Sequence, residues 1–194
     1  MKKTNVQKIA GIGIFTALVA VIATLPLKLG VFNITFVLVP IVVGAALYGY
    51  KAGAWLGFVF GVVVLFTDAS VFLAISVPGT VATVLLKGTL AGLIAGLIYK
   101  LIEGKNKYVA CFLAAVATPI VNTGIFILGC RIFFFDTITE WATTAGYTSA
   151  GKYIIFVICG VNFIVESALN IALSPIIFRL IKIGEKTVKN KIAG

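Results

Sequence analysis

Five strongly polar side chains stand inside otherwise apolar runs of this chain: Lys87, Asn122, Asn162, Glu166 and Asn170. A charge near the middle of a bilayer costs about 2.5–3.5 kcal/mol on insertion scales, so an ion kept there needs a partner, a route to water or a ligand. Asn162, Glu166 and Asn170 recur every fourth residue, which places them on one helix face, and that stripe has to look inward. Lys87 has three physical explanations. It is the counter-charge of an anionic ligand, the partner of Glu166 across a bundle, or a snorkelling side chain whose four-carbon stem reaches the headgroups. The same census argues against catalysis. The chain has no histidine, which removes the Ser-His, Cys-His and HExxH constellations. Asp68 and Asp136 fall in connections and offer no buried acidic pair. Cys111, Cys130 and Cys159 lie in apolar runs without metal or framework spacing and read as packing residues. The expectation is a protein that is not an enzyme and uses no metal or cofactor.

Such residues need a scaffold, and composition decides its class. Hydrophobic residues make up 61% of the 194 and charged ones 11%, with a mean hydropathy of +1.16, which excludes a soluble globule. An all-α membrane protein follows, with room for about six transmembrane helices at roughly 20 residues each. The expected spans are about 8–25, 34–49, 52–67, 81–100, 109–134 and 153–182, in a single integral membrane domain covering 1–194. A β-barrel is excluded because the runs are continuously apolar, without period-two alternation. The first run is too long for a signal peptide and lacks a small-residue cleavage site before Lys28.

Orientation follows from the basic residues. With the N-terminus inside, twelve fall on the inner side: Lys2, Lys3, Lys8, Lys51, Lys100, Lys105, Lys107, Arg179, Lys182, Lys186, Lys189 and Lys191. Only Lys28, Lys87, Arg131 and Lys152 remain, so the topology reads N-in/C-in. The net charge of +10 then marks anionic lipid and not nucleic acid. Connections on the outer side are the longer ones, from "PLKLGVFN" through "TDASVFLAISVPG" to "FDTITEWATTAGYTSAGK", as lids and binding loops are. Counting the helical rise from the outer ends puts Lys87 about 9 Å deep and Asn122 and Asn162 about 14 Å deep. These three helices are expected to line one outward-facing pocket, with Glu166 and Asn170 nearer its floor. Arg131, at the outer end of the fifth span, either attracts an anion or binds headgroups. Trp141 and Tyr147, in the last outer loop, either close over a ligand or anchor the interface.

Small residues form a second pattern. Gly53, Gly57 and Gly61 repeat on the third span, and Gly88, Gly92 and Gly96 on the fourth, as ladders for internal packing or homodimerisation. The first span carries Gly13 with Ala17 and Thr16 with Ala20, in its cytoplasmic half, where another membrane subunit could dock.

Three stretches together carry a family resemblance: "IAGIGIFTALVAVIA", "FVLVPIVVGAALYGYKAGAWLGFVFGVV" and "LLKGTLAGLIAGLIYKL". In this order and at this length, the chain resembles the substrate-binding S-component of energy-coupling factor (ECF) vitamin transporters of bacteria and some archaea. The resemblance implies a six-helix bundle in the cell membrane that captures a vitamin from outside. It also implies partners, a transmembrane coupling subunit and two ATPase subunits, with Gly13 and Ala17 at the coupling contact. ATP hydrolysis would belong to those subunits, since no GxxxxGK[ST] loop is present here. Pantothenate, which carries a carboxylate, hydroxyls and an amide, suits Lys87, Asn122 and Asn162. Riboflavin, folate or another vitamin or precursor is the alternative, as is a stand-alone secondary transporter.

Overall fold

The computed structural model describes residues 3–25, 27–29, 32–34 and 36–193, with side chains at 6–25 and 36–186. The side chains of Lys2, Lys3, Lys28, Lys189 and Lys191 lie outside that set. Helix α1 (Lys3–Thr24) leads into a hairpin of β1 (Leu27–Leu29) and β2 (Phe32–Ile34), paired antiparallel with Lys28 opposite Asn33. Then follow α2 (Leu38–Tyr48), α3 (Tyr50–Thr67), the single turn α4 (Ser70–Leu73), α5 (Val77–Ile102) and α6 (Lys107–Phe133). The chain finishes with α7 (Phe135–Thr144), α8 (Ala150–Tyr153), a π-helical segment (Ile154–Cys159) and the long α9 (Gly160–Ala193).

Among the described residues, five stretches are long and apolar enough to cross a membrane: Val6–Thr24, Tyr50–Thr67, Val77–Ile102, Lys107–Phe133 and Ala150–Lys186. The second expected span differs. Its first residue, Ile34, pairs in the hairpin, and α2 keeps 11 residues, about 16 Å of helix against the roughly 30 Å of hydrocarbon. Pro40 lies in its first turn, where the missing N–H costs no helical bond. A single residue, Gly49, separates α2 from α3; its φ of 93° belongs to the left-handed side that favours glycine.

The other boundaries move for local reasons. Helix α5 starts at Val77, four residues before the expected 81, because Ser76 caps it by accepting a hydrogen bond from the Gly79 N–H and Pro78 stands in its first turn. Asn106 caps α6 by accepting from the N–H groups of Tyr108 and Val109. The last connection, read as loop from sequence, contains α7, which buries Ile138 and Ala142 one turn apart.

The glycine ladders of α3 and α5 face each other within the chain. A Cβ at Gly53 would strike the Gly92 carbonyl, one at Gly57 the Gly88 carbonyl, and one at Gly61 the Val84 carbonyl. The two backbones touch along this antiparallel seam, which settles the ladders as internal packing. At the end of the bundle that holds the α2–α3 and α5–α6 turns, Lys107 pairs with Glu185, which also accepts from the Tyr99 hydroxyl at 3.4 Å. That end is tied across α5, α6 and α9, while Val42, Ala95, Ala114 and Ile177 fill the layer beside it.

Gly57→Leu should therefore destabilise the fold by at least about 1–3 kcal/mol, since a backbone carbonyl cannot move aside. Gly13→Leu, where a Cβ meets nothing among the described residues, should leave stability within about 0.5 kcal/mol. Thermal unfolding in detergent compares them, and equal melting temperatures would contradict the seam.

Candidate functional site

At the opposite end the helices separate around a cavity of about 240 Å³. Helix α5 offers Thr80, Thr83, Val84 and Lys87 to it, α6 offers Asn122, Thr123 and Phe126, and α9 offers Asn162 and Glu166. Phe60 and Val64 of α3 form a further wall, while Asp68, Ala69 and Phe72 reach it from the α3–α4 junction. The π segment contributes Ile158 and Cys159. Its wide turns end just before α9, so they set which way Asn162 and Glu166 face, and such segments are frequent at functional sites.

Lys87 points into this space. Its Nζ lies 5.1 Å from the Phe126 ring centroid and 6.0 Å from that of Phe60, both within cation–π range. The carboxylates whose fields act on it most are Glu166 and then Asp68, both on the cavity wall. The ammonium is thus turned away from lipid and held among aromatic faces and acids.

The wall carries polar atoms that the protein does not satisfy. Thr83 Oγ1, Asn122 Oδ1 and Asn162 Oδ1 are buried without a hydrogen-bond partner among the described residues. Leaving a buried polar atom unpaired costs about 1–3 kcal/mol each, so a cluster of them around one cavity marks a place prepared for another molecule. Asn170, the third member of the α9 stripe, does not line the cavity; its Nδ2 donates to the Glu166 carbonyl at 2.9 Å.

Of the residues singled out in the sequence, Lys87, Asn122, Asn162 and Glu166 come together on this wall. Arg131 does not. It is exposed at the α6–α7 junction, its guanidinium 3.8 Å from the Phe135 ring centroid. Trp141 stands behind Phe72, with ring centroids 6.3 Å apart, and Tyr147 packs on Tyr153 at 5.4 Å; neither lines the cavity. Phe72 occupies the place expected of Trp141, tilted on Phe134 at 5.0 Å and edge-on to Phe126 at 5.5 Å. Thr83 was not anticipated, although it stands one helical turn before Lys87 on the same face.

Helix α1 separates the two small-residue pairs. Gly13 and Ala17 are exposed on a face shared with Ile14, Leu18 and Val21. Thr16 instead packs toward α3, accepting a hydrogen bond from Trp55 Nε1 at 3.1 Å, and Ala20 is partly buried.

Residues 7–178 match the family model described as "ECF transporter, substrate-specific component". The chain belongs to this family. No curated protein and no solved structure matches it. As a substrate-specific component of ECF transporters, it is a multi-pass membrane protein whose task is binding, and the cavity around Lys87 is its candidate site.

Lys87→Met keeps a long apolar stem between the two rings. It should lower the melting temperature of the purified protein while leaving it folded, because Glu166 and Asp68 on the same wall lose the cation that faces them. Affinity for an acidic ligand should fall about 10- to 100-fold, read by titration calorimetry. Unchanged affinity in a folded variant would remove Lys87 from the binding set.

Proposed function

We propose that this chain is the vitamin-capturing subunit of an ECF-type importer in the bacterial cell membrane, with six membrane-embedded helices and both termini on the inner side. The carrying observation is the open cavity that brings Lys87, Asn122, Asn162 and Glu166 together between aromatic and aliphatic walls, at the end of the bundle opposite the α2–α3 and α5–α6 turns, where the basic residues concentrate. In this reading Lys87 balances the ligand's acid group. Asn122 and Asn162 hydrogen-bond its neutral groups, and Glu166 steadies the lysine when the site is empty. Arg131 draws anions toward the mouth, while Trp141 and Tyr147 support the lid that Phe72 presents. Pantothenate is the first ligand to test, because it joins a carboxylate to an amide and hydroxyls.

The chain would then deliver its cargo by docking on a transmembrane coupling subunit served by two ATPase subunits. Gly13 and Ala17 support this assignment: their smallness leaves a shallow exposed track on α1, and a Cβ at Gly13 meets nothing among the described residues. Thr16 and Ala20 border that track and hold α1 against α3.

Proteoliposomes separate this reading from a stand-alone secondary transporter. The purified chain should bind pantothenate tightly yet take up little, and uptake should appear when the coupling and ATPase subunits are added with ATP. Robust uptake by the chain alone would refute the subunit reading. Ala17→Trp should block assembly with the coupling subunit and leave ligand affinity within about threefold, since the site lies elsewhere.

A further inference from the structure

Threonines inside helices ordinarily satisfy their hydroxyls on the carbonyl one turn back, and this chain does so repeatedly. Thr16 donates to the Ile12 carbonyl at 2.8 Å, Thr80 to that of Ser76 at 2.7 Å and Thr118 to that of Ala114 at 2.7 Å. Thr83 departs from this habit. It is only 3% exposed, it lines the cavity, and its Oγ1 has no partner among the described residues. Its surroundings explain the pose. Gly129 of α6 lies directly on the Thr83 side chain, so closely that a Cβ there would overlap Oγ1 and Cγ2. A β-branched side chain is stiff about its first torsion, and with α6 pressed against it the hydroxyl stays where it is.

Asn122, 7% exposed and likewise left with an unpaired Oδ1, faces the same cavity from α6. Its amide supplies both a donor and an acceptor whichever way it is turned. We infer that Thr83 and Asn122 form an uncharged hydrogen-bonding subsite, held in shape by Gly129, that reads a hydroxyl or amide group on the molecule whose acid group Lys87 balances. This inference rests on the cavity being the substrate site. Thr83 precedes Lys87 by one turn, about 6 Å along the helix. The substrate class is therefore a small acid bearing a hydroxyl or amide about that far from its charge. Analogues lacking the group leave Thr83 and Asn122 unpaired and bind more weakly.

Titration calorimetry on the purified full chain tests this. The probes are pantothenate, a set of hydroxy and amido carboxylic acids of similar size, and straight-chain carboxylic acids without those groups. Thr83→Val should weaken the hydroxyl- or amide-bearing acids about 10- to 100-fold and leave the plain acids unaffected. Thr83→Ser, which restores the hydroxyl, should keep the loss below about threefold. Gly129→Ala, which displaces the hydroxyl without removing it, should weaken the same acids as Thr83→Val does. The ligand-free Thr83→Val protein should melt no lower than wild type, because it loses an unpaired polar atom and no internal hydrogen bond. Equal weakening of plain and hydroxylated acids, unchanged affinities in all three variants, or a lower ligand-free melting temperature would overturn the inference while leaving the cavity's function standing. Wild-type protein that binds none of these acids would overturn both together. If Thr83→Val does not fold, Thr83→Ser and Gly129→Ala decide the question alone.

Discussion

An ammonium group surrounded by hydrocarbon sets the terms for this bundle. Lipid cannot solvate it, so the helices must supply what water would have supplied. They do so around Lys87 with the faces of Phe60 and Phe126, the fields of Glu166 and Asp68, and a cavity large enough for a second molecule. Aromatic faces are a suitable material here. They attract a cation through their quadrupoles and remain apolar toward their other neighbours, so they add to what the acids supply without filling the cavity with polar groups.

The seam between α3 and α5 makes that arrangement possible. Because Gly53, Gly57, Gly88 and Gly92 let the two backbones touch, α5 is docked without spending side-chain volume on one face, and its neighbouring face is free to carry Thr83 and Lys87. The ends of the bundle then differ in kind. At one, Glu185 joins Lys107 and Tyr99 across three helices and small residues close the core. At the other, Phe72 packs on Phe126 and Phe134 at the edge of a cavity whose wall holds polar atoms unpaired among the described residues. Tight packing at the first end and unmet hydrogen-bonding capacity at the second suit a subunit that binds a small molecule.

How much of this was legible in the sequence depends on how unusual each residue is for its setting. Lys87, Asn122, Asn162 and Glu166 declare themselves, because polar groups in apolar spans have few alternatives to facing inward. Thr83 does not, since a threonine in a helix has a ready acceptor one turn back and only the packed position of Gly129 reveals that it is unused. Arginine and aromatic residues beyond the middle of α6 were ambiguous for a related reason. Arg131, Trp141 and Tyr147 have chemistry that suits a ligand equally well as an interface, and it took the course of α7 to place Phe72 on the wall and Trp141 behind it. The shortened α2 and the π segment were hidden too, because β-branched apolar residues fit a helix or a strand, and a wide turn leaves no mark on hydropathy.

The central claim is that Lys87 stands in a polar cup kept for a small hydrophilic acid. Native mass spectrometry of the protein purified from cells in mild detergent addresses it most directly, because a tightly held ligand travels with the chain. The account predicts one equivalent of a water-soluble acid of vitamin size on the wild-type protein, lost from Lys87→Met. A wild-type chain that carries only phospholipid, or a small molecule retained equally by both proteins, would contradict it.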